Sequence, residues 1–72
     1  MIKIGDLPIA AVDRIIRRAG GNRVSESAAV ELSDLLEDYA QDIAREASKL
    51  ADHAGRKTVR DVDIRMAYDR LK

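Results

Sequence analysis

From Ser25 to Ala54 the apolar residues fall at Ala28, Leu32, Leu35, Leu36, Tyr39, Ile43, Ala47, Leu50, Ala51 and Ala54. That i, i+3, i+4, i+7 spacing predicts one amphipathic helix rather than the alternation of a strand. No Gly or Pro interrupts the stretch, so neither strong helix breaker stands in the way. At about 1.5 Å per residue this helix is roughly 45 Å long. A compact globule of the same chain length is only about 29 Å across. Part of the apolar stripe must therefore be buried by a partner.

Two shorter helices flank it. Pro8 suits a first helical turn, where its missing N–H costs nothing. Ile9, Val12, Ile16 and Ala19 follow three or four apart, with Ile15 widening the stripe, and Gly20-Gly21 marks the stop. Ser25 is a good N-cap for the long helix, and Gly55 a natural residue just past its end. Thr58-Val59-Arg60-Asp61 resembles a capping box with Asp61 in place of Glu or Gln. Ile64, Ala67, Tyr68 and Leu71, with Val62 ahead of them, then predict a third helix. The expectation is one all-α domain over residues 1–72: short helix, loop, long helix, loop, short helix.

Composition narrows how such a domain is held together. At 72 residues the chain is short, and a lone core of this size rarely supplies more than about 3–5 kcal/mol. There is no Cys and a single His, which removes disulfides and thiolate or histidine-rich metal sites. Oligomerisation remains. The lead Met1–Asp6 lacks the apolar run of a signal peptide and no window spans a bilayer, so a cytoplasmic protein with no membrane partner is expected.

Net charge is zero, but its distribution is uneven. Arg14, Arg17, Arg18 and Arg23 lie in a stretch without an acid, as do Arg56, Lys57 and Arg60. Between them Glu26 to Glu46 carries seven acids against one base, Arg45. Local patches, not the total, set the field an anion meets at close range. Arg23 precedes the long helix, and Lys57 and Thr58 precede the third. Helix starts favour phosphate through free N–H groups and the dipole. Two chains crossed antiparallel would bring the first loop of one beside the second loop of the other, making composite phosphate clamps. Arg14, Arg17 and Arg18 form an i, i+3, i+4 ridge that could track phosphates or enter a minor groove. A solvated charge run is the plain alternative for the loops, and dipole compensation suffices for Arg17 and Arg18 but not Arg14.

His53 near the end of the long helix fits a hydrogen-bonded interface or capping group. No carboxylate pair, nucleophile elbow or Gly-rich phosphate loop accompanies it, so no enzyme, cofactor or small-molecule substrate is expected. Arg56 and Asp63 fit a structural ion pair.

Leu7-Pro8-Ile9-Ala10, Arg14-Ile15-Ile16, Ala19-Gly20, Arg23-Val24-Ser25 and the run Leu50-Ala51-Asp52-His53-Ala54-Gly55-Arg56-Lys57-Thr58-Val59 resemble the archaeal histones over essentially the whole chain. The resemblance implies a histone fold, paired as a handshake homodimer or with a paralogous histone, compacting double-stranded DNA on the nucleoid without reading its sequence. It implies that Arg14 enters the minor groove, as arginines do in histone octamers. It pairs Arg23 with Thr58 of the partner's second loop and sets Lys57 on phosphate beside them. Arg56 and Asp63 match the family's internal ion pair. Leu50, His53, Asp63 and Met66 fall where dimers join into a tetramer through four helices, with His53 bonding Asp63 across the join. Gly20 matches a small residue that lets successive dimers stack.

The chain also departs from its relatives. Family members are often net basic, so a neutral chain is expected to bind DNA more weakly and with more salt sensitivity. Asp13 beside Arg14 and Asp52 beside His53 add negative charge where it does not help. Between stacked dimers Arg18 complements Asp52 and Asp34 complements Arg65, whereas Asp38 and Asp69 repel. The alternative from another class is a histone-fold interaction subunit that dimerises but hardly binds DNA.

Overall fold

A computed structural model describes residues 7–72; the lead Met1–Asp6, and the leader reading that falls on it, lie outside them. Three helices follow in order: α1 (Ile9–Arg18), α2 (Glu26–His53) and α3 (Asp61–Leu71), with no strand among the described residues. At about 1.5 Å per residue α2 is roughly 42 Å long.

The helix ends follow from local chemistry. Pro8 stands just before α1 rather than in its first turn, with an extended backbone (φ −66°, ψ 118°). Its carbonyl accepts the N–H groups of Ala11 and Val12 at 3.1 and 3.2 Å, so it starts the helix from outside. Ser25 caps α2 through its Oγ, which accepts the Ala28 N–H at 3.1 Å.

Both loops open on a glycine in the left-handed region, Gly20 (φ +115°) and Gly55 (φ +73°). At Gly20 the N–H donates to the Arg17 carbonyl, and the next N–H, of Gly21, reaches Ile16. At Gly55 the N–H donates to Asp52, and Arg56 N–H reaches Ala51, each at 2.9 Å. This paired 5→2 and 6→1 closure needs a residue that tolerates positive φ, which Gly does without a Cβ clash.

The third helix begins later than the sequence suggests. Arg60, not Thr58, is the N-cap, and Asp63, not Asp61, reaches back: its Oδ2 accepts the Arg60 N–H at 2.8 Å. Asp63 wins because Arg56 grips the same carboxylate from the loop, at 2.9 Å to each oxygen.

The chain divides into two compact units, the first ending at Asp38 and the second running from Tyr39 to Lys72. In the first, α1 and the start of α2 bury Val12, Ala29, Ser33 and Glu37. In the second, the end of α2 and α3 bury Ala47, Ala51, Asp63 and Ala67. There Tyr39 and Tyr68 meet edge to face with centroids 6.5 Å apart, and Arg70 Nη1 reaches Glu46 Oε2 at 2.7 Å.

The buried apolar set of the described residues is thus one Val and four Ala. Leu35 is 56% exposed, Tyr39 40%, Val62 54% and Met66 49%. A fully buried Leu or Met is worth about 1.5–3 kcal/mol over an exposed one, and the single chain leaves much of that gain unrealised.

Candidate nucleic-acid interface

In the first unit the basic side chains stand on α1 and the loop after it. Arg14, Arg17, Arg18 and Arg23 are all exposed. They are not equivalent. Arg17 Nε lies 3.2 Å from both oxygens of Asp13, one turn back, and its Nη1 donates to the Asn22 carbonyl at 3.4 Å. Arg17 thereby ties α1 to its own loop. Arg14, Arg18 and Arg23 make no ion pair among the described residues. Arg23 borders an open hollow of about 470 Å³ lined by Ile16, Val24, Ser25 and Ala28.

In the second unit the loop is pinned from within. Arg56 holds both oxygens of Asp63 and also donates to the Thr58 carbonyl at 3.0 Å. Asp63 is buried, only 2% exposed. The Arg56 guanidinium, helped by the Arg60 N–H, lowers its carboxyl to about 2. Asp63 in turn raises the pKa of Arg56, chiefly through their hydrogen bond. The pair consumes Arg56 and leaves Lys57 and Thr58 exposed on the same loop.

The start of α3 is less open to phosphate than a bare helix end. Asp63 takes the Arg60 N–H, and Asp61 Oδ1 accepts the Val62 N–H at 2.9 Å. Carboxylates already answer the dipole there, so Lys57 and Thr58, rather than the helix amides, are what the loop offers to an anion.

Leu50 is half-buried, His53 and Met66 are exposed, and Asp63 is buried. Asp63 already accepts three hydrogen bonds. A carboxylate offers roughly four lone-pair sites, so one remains for a further donor. At Gly20 the positive φ accounts for the glycine by itself, and an added Cβ would meet nothing within 4 Å.

The sequence reading missed Glu37. It is 8% exposed, and its Oε1 accepts the Leu7 N–H at 3.3 Å. The signal for it was the spacing Ala29, Ser33, Glu37, a four-residue repeat of one helix face. No group of three or more His, Cys, Asp or Glu that could hold a metal occurs among the described residues. No helix among them is long and apolar enough to cross a membrane.

The family described as histone-like transcription factor (CBF/NF-Y) and archaeal histone matches residues 6–68. The chain belongs to that family. It is 52% identical over 64 residues to one subunit of the archaeal histone HAN1 from Thermococcus zilligii, covering 89% of this chain and 96% of the relative. It is 44% identical, with the same coverage, to the probable archaeal histone 3 of Methanocaldococcus jannaschii. The three helices are therefore those of an all-α histone fold, for which the handshake dimer is the family's standard arrangement. Histone-fold proteins of this family are structural DNA-binding proteins, not enzymes.

Proposed function

We propose that residues 1–72 form one histone-fold domain that pairs with a second copy, or with a paralogous histone, and binds and compacts double-stranded DNA without sequence preference. The observation that carries this reading is the division of labour among the cations. Arg17, Arg45, Arg56 and Arg70 each hold a carboxylate of their own chain. Arg14, Arg18, Arg23, Lys49, Lys57, Arg60 and Arg65 are exposed and hold none among the described residues. Five of these seven, Arg14, Arg18, Arg23, Lys57 and Arg60, lie on α1 and the two loops.

Pairing supplies what the single chain lacks. Two α2 helices crossed antiparallel cover Leu35 and Tyr39, and set Arg23 of one chain beside Lys57 and Thr58 of the other. Arg14 on α1 then meets the minor groove, Arg18 and Arg17 flank it, and Lys57 takes a phosphate. Leu50, His53, Asp63 and Met66 join dimers into tetramers on DNA, with His53 using the one free acceptor site of Asp63. Gly20 leaves room for stacked dimers, and the site of action is the nucleoid.

A gel shift with two unrelated duplexes of equal length, at about 0.1 M salt where screening extends ~10 Å, tests the reading. Equal retardation of both is expected, with nuclease digestion leaving protected fragments. No retardation of either overturns it in favour of a dimerising interaction subunit.

A further inference from the structure

Glu37 is a carboxylate with an unusual position for an acid. It lies in the middle of α2, yet it is 8% exposed, while most of the helix's acids face solvent. Its Oε1 accepts a backbone N–H thirty residues away, that of Leu7, at 3.3 Å. Leu7 immediately precedes Pro8, the residue from which α1 starts.

Among the described residues the start of α1 has no side-chain cap. Pro8 offers no side-chain hydrogen bond, and there is no acid in the first turn. Glu37 instead holds the chain one residue ahead of Pro8, through the Leu7 N–H. It fixes the chain at the residue where α1 is aimed, while Val12 packs one turn further in.

The direction of α1 matters because Arg14 rides on it, two residues beyond Val12 and exposed. We infer that Glu37 is a positioning residue: it anchors the chain just ahead of α1 to α2 and so sets the direction in which Arg14 is presented to DNA. This rests on the DNA-binding role proposed for Arg14. Glu37 itself, buried and on another helix, does not touch the nucleic acid.

The test is a double-mutant cycle read by duplex affinity, on protein shown to be dimeric. At about 0.1 M salt, giving up one bound phosphate lowers affinity roughly eightfold, because K varies as about the −0.9 power of salt for each phosphate neutralised. Arg14→Ala is expected to fall by about that factor for each phosphate that Arg14 neutralises. Glu37→Met, which keeps the volume and removes the acceptor, should fall comparably. The double variant should fall no further than Arg14→Ala alone, since coupled residues do not add. Glu37→Gln, which retains the acceptor oxygen, should recover most of the wild-type affinity.

An unchanged affinity in Glu37→Met, or a loss that adds in full to that of Arg14→Ala, overturns the inference. If Glu37→Met does not fold, Leu7→Pro removes the N–H donor without touching α2. The same non-additivity with Arg14→Ala is then expected, and full additivity overturns the idea. Wild-type affinity in Arg14→Ala alone overturns the DNA role of Arg14 instead. Amide hydrogen exchange along α1 then judges the anchor by itself, and protection unchanged in Glu37→Met rejects it.

Discussion

Leu35→Ala should weaken the dimer without disturbing the fold of the separate chain. The Leu35 side chain is 56% exposed, so its single-chain contacts are few. Full burial of a Leu is worth about 1.5–3 kcal/mol. The fraction still exposed corresponds to roughly 0.8–1.7 kcal/mol per chain, before any cavity contribution. A two-fold dimer buries the residue twice, which doubles the figure to about 1.7–3.4 kcal/mol. At about 1.4 kcal/mol per decade, the dissociation constant should rise roughly fifteen- to two-hundred-and-fifty-fold. Sedimentation equilibrium over a range of loading concentrations measures it, with circular dichroism at high concentration confirming that the helices persist. A dissociation constant within twofold of wild type would show Leu35 facing solvent in the dimer, and the reasoning from the uncovered stripe would fail.

Two further outcomes follow from buried polar groups. Asp63 has its pKa lowered from 3.8 to about 2, so its contribution to stability is fully present above pH ~5 and is lost as pH falls through 3.8 toward 2. Asp63→Asn should be less stable at pH 7 and should show a flatter loss of stability between pH 5 and 2 in urea melts; an acid limb as steep as wild type contradicts the assignment. Ser33 Oγ is buried without a hydrogen-bond partner among the described residues, so Ser33→Ala should raise stability by about 1 kcal/mol. A fall in the urea midpoint would mean that a second chain satisfies the hydroxyl.

Much of the fold was legible in the chain. The periodicity from Ala28 to Ala54 gave α2 almost to its ends, because an uninterrupted stripe is a long-range signal that local accidents do not mask. Gly20 and Gly55 marked the two loops through the positive φ each one needs. The start of α3 was misplaced by two residues, since the choice between Asp61 and Asp63 depends on Arg56, a tertiary partner seven positions from Asp63.

Part of the side of α2 that one chain covers for itself was also hidden. Ala47 and Ala51 belong to the predicted stripe, but Ala29, Ser33 and Glu37, buried as well, are small or polar residues that a hydrophobicity pattern passes over. Of the stripe's large side chains, Leu35 and Tyr39 stay exposed on the single chain. Among the cations, Asp13 and Arg17 form an i, i+4 pair that spacing alone could have flagged. The engagement of Arg56 and the freedom of Lys57 beside it depend on where loop two folds back.

The clamp proposed at each end of the crossed α2 helices is tested most directly by the salt dependence of duplex binding. Affinity measured from about 0.05 to 0.3 M salt gives a slope of log K against log salt near −0.9 for each phosphate neutralised. Arg23→Ala and Lys57→Ala should each make that slope shallower by about 0.9 per phosphate released, on any duplex sequence. A slope identical to wild type in both variants would contradict the account.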